Sequence, residues 1–128
     1  ATRRERPDLS GFERLVTEAL DRIPDEFRRH LHNVVVTIAE EPTPAQLLEA
    51  DLDPDDDTLY GLYEGTPLPE RPYDYAGRVP DTITIFRRPL LRDCPTADDL
   101  REEVEITVVH EIAHFFGFDD DELERLGY

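Results

Sequence analysis

The spacing of apolar positions changes several times along the chain, and each change marks an element. Phe12, Leu15, Val16, Ala19, Leu20 and Ile23 recur at three- and four-residue steps. They predict an amphipathic helix with Ser10 as its cap and an end near Ile23, because Pro24 disfavours helix in the residue before it. From Asn33 to Ala39 the pattern switches to a run rich in β-branched residues, with Val34, Val35, Val36 and Ile38, suited to a buried strand. Pro44 to Ala50 predicts a short helix. Thr58 to Tyr63 predicts a second strand, Glu64 and Gly65 a turn, and Thr66 to Arg71 an extended segment kept irregular by Pro67 and Pro69. Between Asp81 and Phe86, Ile83 and Ile85 alternate with threonines, which is the pattern of a half-exposed strand. Arg87 to Asp93 predicts a short helical link.

The longest periodic segment follows. Leu100, Val104, Val108, Ile112 and Phe115 form a core stripe, widened by Ile106, Val109, Ala113 and Phe116. Thr96 is placed to cap this helix, with Asp99 three residues on, and Asp98, Asp99, Glu102 and Glu103 complement the positive end of the helix dipole. Gly117 supplies the left-handed position that ends such a helix and turns the chain back. The order of elements predicts an α+β fold: a small mixed sheet packed on this helix and on the N-terminal helix. Residues 9 to 128 read as one domain, preceded by a polar, flexible arm over residues 1 to 8.

Charge narrows the functional classes. The chain carries a net charge of −17, and all of its basic side chains are arginine. Such a surface repels nucleic acid backbones and anionic membranes, so neither is an expected partner. No apolar run approaches a membrane span and the start lacks the apolar core of a signal peptide, which together predict a cytoplasmic protein. The single cysteine, Cys94, is expected to be a buried small side chain rather than a nucleophile. From Glu40 to Asp57 the chain is acidic with no basic residue and reads as a solvated loop. Within it Asp51, Asp53 and Asp55 have the spacing of the first ligands of a calcium loop, but Asp56 replaces the turn glycine and Leu62 the bidentate glutamate, so the hydrated loop is favoured.

The long helix also carries the candidate chemistry. His110, Glu111 and His114 follow the pattern H-E-x-x-H, which puts two imidazoles on one helical face, one turn apart, with a glutamate beside them. The turn at Gly117 brings Asp119, Asp120 and Asp121 toward that face. A structural zinc site is closed by four protein ligands, whereas a catalytic one uses three and keeps a position open for water; no fourth soft ligand is near in sequence. Asp120 is the favoured third ligand, because it falls three residues after the glycine. Asp119 with Glu122, or Asp121 with Glu124, fits the cap of a final helix. His30 and His32 are expected only to shape the approach to the first strand.

These residues resemble the zincin metallopeptidases, and within them the metzincin-related branch whose third ligand is an aspartate. More narrowly, His110 to Asp120, the trailing Asp121 to Tyr128, and the upstream Leu59 to Gly65 and Pro80 to Ile85 are similar to the small bacterial minimal-zincin family. The resemblance extends from Leu9 onward. It implies a compact zincin half-domain, Zn2+ held by His110, His114 and Asp120, and Glu111 as the catalytic base. The expected function is zinc-dependent hydrolysis of peptide bonds in a peptide or protein substrate. Tyr75, in a loop with Tyr73 and Arg78, is a candidate donor to the developing oxyanion, against the plainer reading of a packed tyrosine. Two alternatives stay open: a metal-bound module that binds peptides or proteins without turnover, and an acidic interaction protein working through residues 40 to 57.

Overall fold

The computed structural model describes residues 8–66 and 80–125. The first apolar stripe forms helix α1 (Leu9–Asp21), which buries Phe12, Val16 and Ala19. Its cap is Asp8 and not Ser10: the Gly11 amide donates to the Asp8 carboxylate at 2.9 Å. A carboxylate at this position satisfies an orphan amide and also meets the positive end of the helix dipole, which a serine hydroxyl does not. Ser10 is thereby taken into the first turn. A single further turn, α2 (Asp25–Arg28), follows Pro24.

Strand β1 (Val34–Ala39) and helix α3 (Pro44–Glu49) form where the sequence predicts them. Thr43 and Gln46 make a reciprocal capping box at the start of α3, each accepting the other's backbone amide. Strand β2 (Gly61–Glu64) is shorter than the predicted Thr58 to Tyr63. The strand ends where Gly65 takes a positive φ of 153°, as the expected turn requires. Strand β3 (Asp81–Phe86) leads directly into α4 (Arg87–Asp93), then α5 (Ala97–Phe115) and α6 (Asp120–Arg125).

The sheet is mixed, with strand order β1-β3-β2. β1 runs parallel to β3, pairing Val36 with Ile83 and Ile38 with Ile85, and β2 runs antiparallel to it, pairing Tyr63 with Ile83 and Gly61 with Ile85. Because side chains alternate across a strand, this register puts Val36, Ile38, Ile83, Ile85, Tyr63 and Gly61 on one face. Phe12, Val16, Ala19 and Ile23 join Leu100, Val104, Val108 and Ile112 of α5 and the two isoleucines of β3 in one core. The stripe predicted on α5 is buried in full: Leu100, Val104, Val108 and Phe115 are wholly inaccessible and Ile112 nearly so.

β3 departs from the half-exposed strand expected of its alternating pattern. It is the central strand, and Asp81 and Thr84 are buried along with Ile83, Ile85 and Phe86. Alternation shows which residues share a face but not whether the second face is covered. The buried Asp81 carboxylate accepts a hydrogen bond from the Tyr63 hydroxyl. The acidic stretch from Glu40 is largely exposed, as expected, and at its start Glu40 pairs with Arg87 and Arg88, and Glu41 with Arg92, tying the end of β1 to α4. Among the described residues no helix is long and apolar enough to cross a membrane.

Candidate metal centre

Two local devices fix the helix that bears the motif. At its start the Asp99 amide donates to the Thr96 hydroxyl at 3.0 Å, as the sequence predicts. At its end Gly117, with φ of 95°, lets the Gly117 amide donate to His114 O and the Phe118 amide to Ala113 O. These are the paired bonds of a Schellman motif, and they reverse the chain immediately after the second histidine. Asp119 then caps α6: the Glu122 amide donates to its carboxylate at 2.8 Å, and its own amide donates to Glu122 Oε1 at 3.2 Å. With Asp119 used as the cap, Asp120 opens α6 and points back.

Asp120 Oδ1 lies 3.2 Å from His110 Nε2 and 2.9 Å from His114 Nε2. The two imidazole rings stand edge to face, 4.7 Å apart between centroids. On the other side of His114, Nδ1 is 3.4 Å from Glu111 Oε1. Glu111 is buried, with a side chain 8% accessible, whereas Asp120 remains 79% accessible. His114 thus has a carboxylate at each ring nitrogen, which favours the doubly protonated ring. Its pKa is raised, chiefly by the hydrogen bond to Glu111, with burial opposing and Asp120 adding to the effect. Asp120 is shifted down, chiefly by its hydrogen bond to His114.

The donor set fits a zinc-type divalent ion. Ligand atoms of His110, Glu111 and His114 all lie within 4.8 Å of one another, and the Asp120 carboxylate faces the same two Nε2 atoms. Two imidazole nitrogens with one carboxylate oxygen is a borderline set of the kind zinc takes in open, three-ligand sites. Of the two carboxylates only Asp120 approaches Nε2 on both histidines, while Glu111 sits at the far nitrogen of one.

Several residues meet this centre only through the fold. Gly61 of β2 lies flush against α5: a Cβ there would stand 2.7 Å from Thr107 Cγ2 and 3.1 Å from Glu111 Cγ. Beside it, Leu59, Tyr60, Glu103 and Ile106, with His110 and Glu111, line a cavity of about 220 Å3. Tyr60 donates its hydroxyl to Asp93. A glycine inside a predicted strand is the one clue that a helix passes close by. Other candidates lie elsewhere. His30 packs edge-on against Phe116, and His32 Nδ1 meets Arg29 O, so neither joins the centre. Cys94 is buried and unpaired in any disulfide. Asp53 and Asp57 turn their carboxylates to backbone amides of the same loop. Among the described residues no metal-binding group of three forms there. Tyr75, Tyr73 and Arg78 lie outside the described residues.

The fold is similar to that of a conserved hypothetical protein from Thermo thermophilus, with a TM-score of 0.55, 22% identity, and coverage of 93% of this chain and 96% of that chain. At this level of identity the likeness speaks for the fold alone. No curated protein matches the chain. Residues 31–128, which take in the sheet, the motif helix and Asp120, match the zincin-like metallopeptidase family. The chain belongs to the zincin-like metallopeptidase family.

Proposed function

We propose that the protein is a zinc-dependent peptidase in which His110, His114 and Asp120 hold the ion and Glu111 is the general base. The observation that carries this reading is the convergence of Asp120 Oδ1 on both histidine Nε2 atoms, with the Glu111 carboxylate one helical step away. When bound, zinc supplies a Lewis acid that polarises a carbonyl and lowers the pKa of water toward neutrality. Glu111 takes the proton of the attacking water at its carboxylate and passes it to the leaving amine nitrogen as the C–N bond breaks. β2, at the edge of the sheet among the described strands and packed on α5 beside Glu111, offers backbone groups with which an extended peptide can pair. Tyr75 is proposed as a donor to the oxyanion, and Tyr75→Phe is expected to lower kcat with little change in KM.

One observation favours a second reading, a metal-bound module that holds peptides without cleaving them. Glu111 sits 3.4 Å from His114 Nδ1, where a carboxylate orients a ligating imidazole and strengthens it as a donor. Glu111→Gln separates the two. In a peptidase the variant keeps stoichiometric zinc and loses cleavage by a factor of about 100 or more. In a binding module no peptide is cut by either form, and zinc affinity falls by roughly 10- to 100-fold. Elemental analysis of protein purified without affinity metal is expected to give one zinc per chain, and far less in His114→Ala and Asp120→Ala. Full zinc in Asp120→Ala would remove Asp120 from the ligand set.

A further inference from the structure

We propose that the cavity between β2 and α5 receives a substrate side chain next to the cut bond, and that Glu103 makes it select a lysine or arginine. The proposal rests on the peptidase reading for the identity of the cut bond, but the pocket has its own physical basis. His110 and Glu111 form one end of the cavity, so a side chain lodged in it belongs to a residue held at the proposed centre. Gly61 closes against Thr107 and Glu111 at the floor of the cavity, and Leu59 and Ile106 add apolar surface of the kind the carbon stem of a long basic side chain covers. Glu103 forms part of the opposite end. It stands seven residues before His110 on the same helix, about 10 Å along the axis, a separation suited to an extended side chain whose backbone lies at the histidines.

The charge at Glu103 is available. Neighbouring Glu105 is bound by Arg22 at 2.7 Å, Glu18 meets Arg101, and Glu40 and Glu41 are taken by the arginines around α4. Glu103 makes no salt bridge with any described residue, although it is half-buried. Its field is nonetheless felt locally, since it contributes to raising both the Tyr60 hydroxyl and the Cys94 thiol above their ordinary pKa. Asp93, which accepts the Tyr60 hydroxyl, adds a second negative group beside this lining residue. A half-buried carboxylate with no cation among the described residues, at the end of a slot walled by Leu59 and Ile106, fits a guanidinium or ammonium better than any apolar or acidic group. The net charge of −17 draws cationic peptides in the same direction.

The test pairs cleavage with binding. A random-sequence peptide pool is digested with zinc-loaded protein and the products are sequenced by mass spectrometry. Lysine and arginine are expected to be enriched roughly tenfold over norleucine at one position flanking the cut, the size of one charge-assisted contact. In Glu103→Gln the enrichment falls to within about twofold, and in Glu103→Lys it moves to aspartate and glutamate. In parallel, the affinity of chelator-treated protein is measured for Ala-Ala-Lys-Ala-Ala and for the same peptide with norleucine, in wild type and in Glu103→Gln. Cleavage without basic preference, or with a preference that survives Glu103→Gln, overturns the pocket and leaves the peptidase reading standing. Absence of cleavage together with a lysine preference in binding that Glu103→Gln removes overturns the peptidase reading and supports the pocket. Equal binding of the two peptides and no cleavage overturns both.

Discussion

Gly61 shows how little room a single residue has beside the proposed base. Its missing Cβ would press on Thr107 Cγ2 and Glu111 Cγ. Thr107 cannot turn aside freely, because it is buried and its hydroxyl donates to Glu103 O at 2.7 Å. Gly61→Ala is therefore expected to cost about 1–3 kcal/mol by urea denaturation and, from the same displacement of Glu111, to lower kcat more than it changes KM. Tyr60 gives a second prediction with a sign that can be worked out. Its pKa is raised to about 12, first by the hydrogen bond to Asp93 and then by burial. Folding thus favours the neutral phenol. The stabilisation is complete below the ordinary tyrosine pKa of 10.0 and is lost as pH rises from there through about 12. The urea midpoint of the wild type is expected to fall across that window more steeply than that of Tyr60→Phe. Neither contact can be read from spacing along the chain, since Tyr60 and Asp93, like Gly61 and Glu111, meet only through the fold. The histidine pair is different: its geometry follows from one helix and a four-residue interval.

At the scale of elements, α5 is the part most fully legible in the sequence. Its cap at Thr96 and its end at Gly117 rest on hydrogen bonds between residues at most five apart, and its apolar stripe is marked by three- and four-residue spacing, all of which the sequence encodes directly. Thr96→Ala is expected to destabilise the protein by about 1 kcal/mol, measured by urea denaturation, through the amide of Asp99 left without its acceptor. α1 is less legible at its start, because Asp8 and Ser10 both have capping side chains and the choice depends on which one the chain places outside the helix. The burial of β3 escapes the sequence for a related reason. A threonine in a strand is compatible with either solvent or a covered face, and Thr84 is buried between its cross-strand partners Thr37 and Leu62, both distant in sequence.

At the scale of the whole molecule the charge is the dominant property. With 31 acidic against 14 basic residues, the protein is surrounded by a negative potential that extends about 10 Å at 0.1 M salt. Raising the salt from about 0.05 to 0.5 M is expected to weaken association with a lysine-containing peptide severalfold more than with its norleucine counterpart. An equal response of both peptides would show that the field plays no part in selection. The strand order β1-β3-β2, with a parallel pair whose members are separated by a helix and another strand, has no counterpart in the sequence pattern. The α+β class follows from the mixture of periods; the arrangement follows from which faces are apolar once the strands are brought together.

The reversal at Gly117 has a consequence for how the protein reports its own metal content. α6 is anchored by one buried residue, Leu123, and its other ties are the cap at Asp119 and the contacts of Asp120. An ion shared by His110, His114 and Asp120 would stitch this short segment to α5, and ligand present at 100 times its dissociation constant stabilises the bound form by about 2.7 kcal/mol. Occupancy would then be written into the backbone as resistance to cutting. Phe118, in the exposed stretch between the two helices, is a chymotrypsin target, and nicking after it is expected to slow when zinc is added and to be indifferent to zinc in Asp120→Ala.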